Sequence, residues 1–231
     1  MLFESSSQLI EILSSLGYPN RLVDEWWWPK SGTFRVVEGA ILTQNSRWER
    51  VEKSLENLST LGLLNPEAVA ECDLQTLSEA IRPSGFHKNK AMNLKSLSTE
   101  IVERFGDFEN FRQSVGREWL LQRRGIGPET ADSILNYCCY REVFVVDSYT
   151  ARLLHSAGYE LDGYEEIAQW MVSGLSAVPE TPYGDIPRAR GYALAHGAIV
   201  EYCKEHRKGR GIDIEPISRF ISDAQDSQGT S

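Results

Sequence analysis

Apolar residues recur every three or four positions along most of the chain, the period of helices with one buried face. Over Ser5–Leu16, the residues Leu9, Ile10, Ile12, Leu13 and Leu16 form one broad face. Ser5–Ser7 can cap its start and Gly17 can end it. The same reading predicts helices over Phe34–Leu42, Trp48–Leu58, Pro66–Cys72, Leu74–Ile81, Lys88–Phe105, Phe108–Gln113, Trp119–Arg123, Pro128–Tyr140, Ser148–Ser156, Glu165–Ala177 and Arg188–Cys203. Strand alternation is scarce, and Val143–Val146 is a short apolar run. The expected class is all-α, with short connections between helices.

The helices are expected to form two lobes with an active-site cleft between them, the default place for a site. Residues 1–35 are expected to pack with the C-terminal lobe. Residues 36–140 form a helical barrel lobe with a helix-hairpin-helix at 117–140, and residues 141–220 form the C-terminal lobe. The polar stretch 221–231 is expected to be disordered.

Composition adds little to this picture: 41% of the 231 residues are hydrophobic and 25% charged, as in ordinary globular chains. No apolar run approaches the roughly 20 residues that span a bilayer. The N-terminal Met1-Leu2-Phe3-Glu4 lacks the basic region and apolar core of a signal peptide, so the expected location is cytoplasmic, associated with the nucleoid. Cys72, Cys138, Cys139 and Cys203 show no metal-ligand spacing and read as buried thiols. The net charge of −9 opposes nucleic-acid binding unless positive charge is local. Local runs exist: Arg82, Lys88, Lys90 and Lys95; Arg117, Arg123 and Arg124; Lys204, Arg207, Lys208 and Arg210.

The most informative stretch is Leu120-Leu121-Gln122-Arg123-Arg124-Gly125-Ile126-Gly127-Pro128-Glu129-Thr130-Ala131-Asp132. Gly125 and Gly127 permit a sharp turn and close approach of another molecule, while Ile126 pins the turn to the core. Pro128 suits the first turn of a helix, where its missing N–H has no partner. The outward N–H groups of that turn can hold a phosphate without a basic side chain. Gly-Ile-Gly alone fits an ordinary αα-hairpin equally well. The wider pattern, L-x-x-x-x-G-I-G-x-x-T-A with Thr130, resembles the helix-hairpin-helix (HhH-GPD) DNA glycosylase superfamily, which includes endonuclease III.

Asp147 follows the apolar run and precedes Ser148-Tyr149-Thr150-Ala151. An Asp here can be a plain helix cap. The resemblance makes it the catalytic carboxylate, at the place after the hairpin where the superfamily keeps one. The chemistry agrees, because cleaving a purine N-glycosidic bond develops positive charge on the sugar. A fixed carboxylate stabilises that charge and orients water. The superfamily's Asp follows a loop containing Gly or Pro, which this loop lacks. Lyase-type members carry a nucleophilic Lys just after the second hairpin glycine. Glu129 stands there instead, which implies a hydrolase without lyase activity. Endonuclease III-like relatives hold an iron–sulfur cluster on four C-terminal cysteines. Only Cys203 lies in that region, so no cluster is expected.

Trp26-Trp27-Trp28-Pro29 cannot turn all three indoles to one core. Together with Thr43-Gln44-Asn45-Ser46-Arg47-Trp48, Ile81-Arg82-Pro83-Ser84-Gly85-Phe86 and the hairpin, it narrows the resemblance to the clusterless 3-methyladenine DNA glycosylase III branch, from about Trp26 to Lys204. That branch implies stacking walls at Trp27 and Trp48 with Trp28 nearby, a gap-filling Gln44, and a pocket-proximal Lys204. Ala198 occupies a position where a Lys is expected, which leaves the pocket's polarity open. His196 reads as a structural residue rather than a base. A monovalent cation on the hairpin carbonyls and a monomeric state are further expectations of the resemblance.

The resulting expectation is a monofunctional glycosylase that flips alkylated purines, chiefly 3-methyladenine, out of double-stranded DNA. A cationic alkylated purine suits an aromatic pocket. The alternatives are the same fold acting on a deaminated or oxidised base, a lyase, or a module that only binds DNA.

Overall fold

The computed structural model describes residues 1–22, 24–178 and 180–229, with side chains up to residue 225. It contains thirteen α-helices among the described residues: α1 Ser6–Ser15, α2 Phe34–Leu42, α3 Trp48–Thr60, α4 Pro66–Glu71, α5 Leu74–Ala80, α6 His87–Phe105, α7 Phe108–Ser114, α8 Arg117–Leu121, α9 Pro128–Ser133, α10 Ser148–Ser156, α11 Gly163–Ala177, α12 Arg188–Glu205 and α13 Glu215–Gly229. A two-stranded antiparallel ladder, β1 Arg207–Lys208 and β2 Gly211–Ile212, joins α12 to α13. No helix is long and apolar enough to cross a membrane among the described residues.

The chain divides into two compact units. One comprises Pro29–Arg141. The other joins Met1–Trp28 to the chain from Glu142 onward. The N-terminal segment thus belongs with the C-terminal helices. Its boundary falls after Trp28, earlier than the expected residue 35.

In the Pro29–Arg141 unit, sequence-local caps set the helix starts. Asn65 accepts from Ala68 N at 2.8 Å, Asp73 from Thr76 N at 2.9 Å, and Asp107 from Asn110 N at 2.7 Å. Gly106, at φ 81°, ends α6. The helix expected over Pro128–Tyr140 is α-helical only to Ser133 and continues as a π-helical turn over Ile134–Cys138.

In the other unit, α1 packs on α11 and α12. Ser6 Oγ donates to Met171 O at 2.7 Å, and Gly174 on α11 leaves room for that hydroxyl. The core joins Leu9, Ile10 and Leu13 of α1 to Leu153, Ile199, Tyr202 and Ile217. The helix α13, Glu215–Gly229, runs into residues 221–229, which the sequence reading took as part of a disordered tail. Ile217 is buried, and Phe220 and Ile221 pack beside that core, an i, i+3, i+4 face that holds a polar segment in place. Residues 230 and 231 lie outside the described residues.

Candidate active site

The hairpin lies in the Pro29–Arg141 unit, between α8 and α9. Ile126 is buried, with Gly125 and Gly127 exposed on either side of it. The two glycines have different reasons to be there. Gly125 sits at φ +74°, and a Cβ on it would collide with the Asn93 amide of α6. Gly127 has φ −93°, which any residue adopts, and a Cβ on it would meet nothing within 4 Å. Gly125→Ala should therefore cost about 1–3 kcal/mol of stability, and Gly127→Ala less than about 0.5 kcal/mol, as read from urea unfolding. Equal costs would overturn this assignment.

Side chains brace the turn. Gln44 Nε2 donates to Gly125 O at 2.9 Å and to Thr130 Oγ1 at 2.9 Å. Arg117 pairs with buried Asp132 through two bonds, Nε to Oδ1 at 2.8 Å and Nη2 to Oδ2 at 3.1 Å. Arg123 lies 4.6 Å over the Trp119 ring and pairs with Glu100.

Asp147 lies in the other unit, at the N-cap of α10. The approach from Glu142 forms neither helix nor strand. Phe144 and Val146, two residues apart, point into the core and fix its path without Gly or Pro. The two carboxylate oxygens then have different surroundings. Oδ1 accepts from Tyr149 N and Thr150 N, both at 2.9 Å, and from Thr150 Oγ1 at 3.1 Å. Oδ2 faces His196 Nε2 of α12 at 3.7 Å. Burial pushes the carboxyl pKa up, but the facing His196 ring and the Thr150 donors outweigh it, and the pKa lies below the ordinary Asp value. The cap reading and the catalytic reading are thus compatible, each using one oxygen.

The Trp26–Trp28 strap belongs to the same unit as Asp147. Trp27 Nε1 donates to Glu201 Oε1 at 2.8 Å, and its ring meets His196 edge-on with centroids 5.6 Å apart. Trp28 is buried. Asp147, His196 and Trp27 therefore form one contiguous set.

A family model for the HhH-GPD superfamily of base excision DNA repair proteins matches residues 39–171, a range that includes the hairpin and Asp147. The chain belongs to the HhH-GPD superfamily. A protein of Methanocaldococcus jannaschii, provisionally named a DNA repair glycosylase, is 39% identical over 202 residues, covering 84% of this chain and 87% of that one. Among solved structures, the H. pylori 3-methyladenine DNA glycosylase bound to 1,N6-ethenoadenine is similar at a TM-score of 0.82 and 38% identity, covering 89% of this chain and all of that one. A trapped endonuclease III–DNA covalent intermediate shares the fold at 16% identity and a TM-score of 0.72, covering 92% of each chain. At this level the chain is a DNA glycosylase of base excision repair.

The other residues singled out in the sequence of this HhH-GPD glycosylase have the following surroundings. Arg123, expected to meet DNA, is turned onto Trp119 and Glu100. Gln44, expected to fill the gap left in the DNA, bonds to the hairpin. Lys90, one of the expected surface cations, is buried and donates to Leu42 O at 2.8 Å and Ser84 O at 2.9 Å. Lys95 likewise turns inward, onto the carbonyls of Ala70 and Cys72. Lys204 is exposed on the last turn of α12, and Ala198 is fully buried in the core. Trp48 is half-buried at the start of α3.

Sequence reasoning passed over Glu201 and Gly197 of the HhH-GPD chain, although a glycine inside a helix is itself a signal of close approach. Phe86, the last residue of the Ile81–Phe86 motif, is 69% exposed at a left-handed φ of 47° ahead of α6.

Proposed function

We propose that this protein is a monofunctional DNA glycosylase that hydrolyses the N-glycosidic bond of alkylated purines, chiefly 3-methyladenine, in duplex DNA. The observation that carries this reading is the divided Asp147 carboxylate, one oxygen fixed on a helix N-terminus and the other turned to His196 beside Trp27.

An N-alkylated purine is cationic and leaves as a neutral base, taking the electron pair of the C1′–N9 bond. The sugar is left with oxocarbenium character, which the Oδ2 side of Asp147 would stabilise. Water then adds at C1′ and loses its proton toward the same carboxylate. Trp27 would stack on the flipped base, the more favourably when that base is charged. The glycosylase of H. pylori named for 3-methyladenine supports this substrate class.

Glu129 supports hydrolysis without strand cleavage, because a carboxylate cannot form a Schiff base. The presence of only Cys203 in the C-terminal region supports activity without an iron–sulfur cluster. The hairpin carbonyls suit a monovalent cation in chemistry. Gly125 O and Arg123 O each accept one hydrogen bond, from Gln44 and Ile126, and each carbonyl keeps a second lone pair.

Duplex DNA containing a single 3-methyladenine should lose that base and keep an uncut strand, with no adduct trapped by borohydride. Strand cleavage or a trapped adduct would restore the lyase reading, and release of only deaminated or oxidised bases would reassign the pocket. Gly127→Val should lower duplex affinity about tenfold by crowding the backbone open to a phosphate. Unchanged affinity would remove the hairpin from the DNA contact.

A further inference from the structure

Tyr18, Asn20, Arg21, Glu25 and Trp27 all bond to side chains on one face of α12. Tyr18 Oη donates to Glu205 Oε2 at 2.6 Å. Asn20 N and Arg21 N donate to Glu201 Oε2 at 2.6 and 3.3 Å. Trp27 Nε1 donates to the other oxygen of the same carboxylate. Arg190 Nε donates to Glu25 O at 2.9 Å. Positions 190, 197, 201 and 205 share a helix face, so a single stripe of α12 receives all of these contacts.

Two local costs coincide at Trp27. Its backbone has a φ of +65°, a genuine outlier for a bulky aromatic residue. The helix beneath it carries Gly197, an unfavourable residue in a helix interior. A Cβ on Gly197 would fall against Cγ, Cδ1 and Cδ2 of the Trp27 indole. Those atoms are at the root of the side chain, so a rotamer change cannot cheaply relieve the clash. Strain of this kind persists where surrounding contacts over-determine a geometry, and such places are enriched in functional sites. The buried Glu201 carboxylate supplies the contacts here, one oxygen for the strap backbone and one for the indole.

We propose that Glu201, with Gly197 as the seat, is a positioning residue that holds the Trp27 indole in its base-stacking pose. This rests on the reading of Trp27 as a wall of the base pocket. Glu201 takes no part in bond cleavage. Its effect is on how well the damaged base is held, while Asp147 sets the chemical rate.

The test is a double-mutant cycle over Trp27→Phe, Glu201→Gln and the double variant. Single-turnover base release from a duplex carrying one 3-methyladenine is followed over a range of enzyme concentration. Each single variant should raise the half-saturating concentration about tenfold with a saturating rate within about twofold of wild type, and the double variant should lose no more than either alone. Gly197→Ala keeps Glu201 and its bonds to Asn20 and Arg21 but pushes the ring off its seat. It should reproduce the same pattern if Glu201→Gln folds poorly by urea unfolding. Additive losses, or a loss confined to the saturating rate, would overturn the proposal. If Trp27→Ala leaves half-saturation unchanged, the pocket role of Trp27 fails and the proposal fails with it. If Trp27→Ala is costly and neither Glu201→Gln nor Gly197→Ala is, the pocket stands and only the clamp fails. Should wild type release no alkylated base, fluorescence still decides the clamp. The Trp27 emission, taken as wild type minus Trp27→Phe and as Glu201→Gln minus the double variant, should lie further to the red in the second difference, and an unshifted emission overturns the clamp.

Discussion

Asp147→Asn is expected to slow single-turnover base release by about a thousandfold while leaving the fold intact. The argument rests on the two oxygens. Asn keeps an acceptor for the Tyr149 and Thr150 amides, which Asp147 Oδ1 serves at 2.9 Å. Asn and Asp cap helices about equally well, so the urea midpoint should hardly move. What the amide lacks is the charge opposite the developing sugar cation. Asp147→Ala removes the cap as well and should lose a further ~1 kcal/mol of stability. A near-wild-type rate in Asp147→Asn would overturn the catalytic assignment. A fall in the urea midpoint matching Asp147→Ala would show that the residue acts structurally. Because the Asp147 pKa lies below the ordinary carboxylate value, the rate should not fall through protonation of Asp147 between neutral and mildly acid pH.

The second large effect concerns Glu38, in the Pro29–Arg141 unit. It is fully buried on α2, and neither carboxylate oxygen accepts a hydrogen bond among the described residues. Burial pushes its pKa up to about 8, against the pull of Arg35, whose Nη1 stands 3.6 Å from Oε2. Below the ordinary value of 4.5 the group is protonated in both folded and unfolded chains, and the neutral acid gives the fold its full stability. As pH rises from there to about 8, the unfolded chain releases the proton and the folded chain retains it. Stability should therefore fall by up to about 1.4 kcal/mol per pH unit across that window and level off above it. Glu38→Gln should match wild type near the acid end and exceed it near pH 8. Urea unfolding at several pH values reads this directly, and parallel curves for the two proteins would overturn it. Lys90 does not confuse the window. Burial lowers its pKa from 10.5 to about 8, so the unfolded chain holds the extra proton only above that pH, where stability rises instead.

The features legible in the sequence are those whose cause lies within a few residues. Helix starts at Phe34, Trp48, Pro66, Leu74, Phe108, Pro128, Ser148 and Arg188 agree with the structure, because caps, prolines and the apolar period are local signals. The hairpin was legible for the same reason, since Gly125 meets a backbone requirement of its own turn. The basic runs were not legible as a surface. Whether a Lys faces water depends on what packs over it, and Lys90 finds the carbonyl of Leu42, 48 residues away, at the end of another helix.

Within the candidate site the same division holds. The order of residues alone placed an Asp at the head of a helix after a glycine hairpin, and that pattern pointed to the superfamily. It also set three tryptophans in a row, which no single element can bury together. Only the tertiary structure brought His196 up to Asp147, and only it placed the Trp27 indole on Gly197 with Glu201, 174 residues further on, as its acceptor. Backbone conformation is governed by neighbours in the chain, so turns, caps and the candidate Asp could be read one after another. The polarity around a side chain is governed by neighbours in space, so which oxygen of Asp147 is capped, and which indole is held, was decided by the fold.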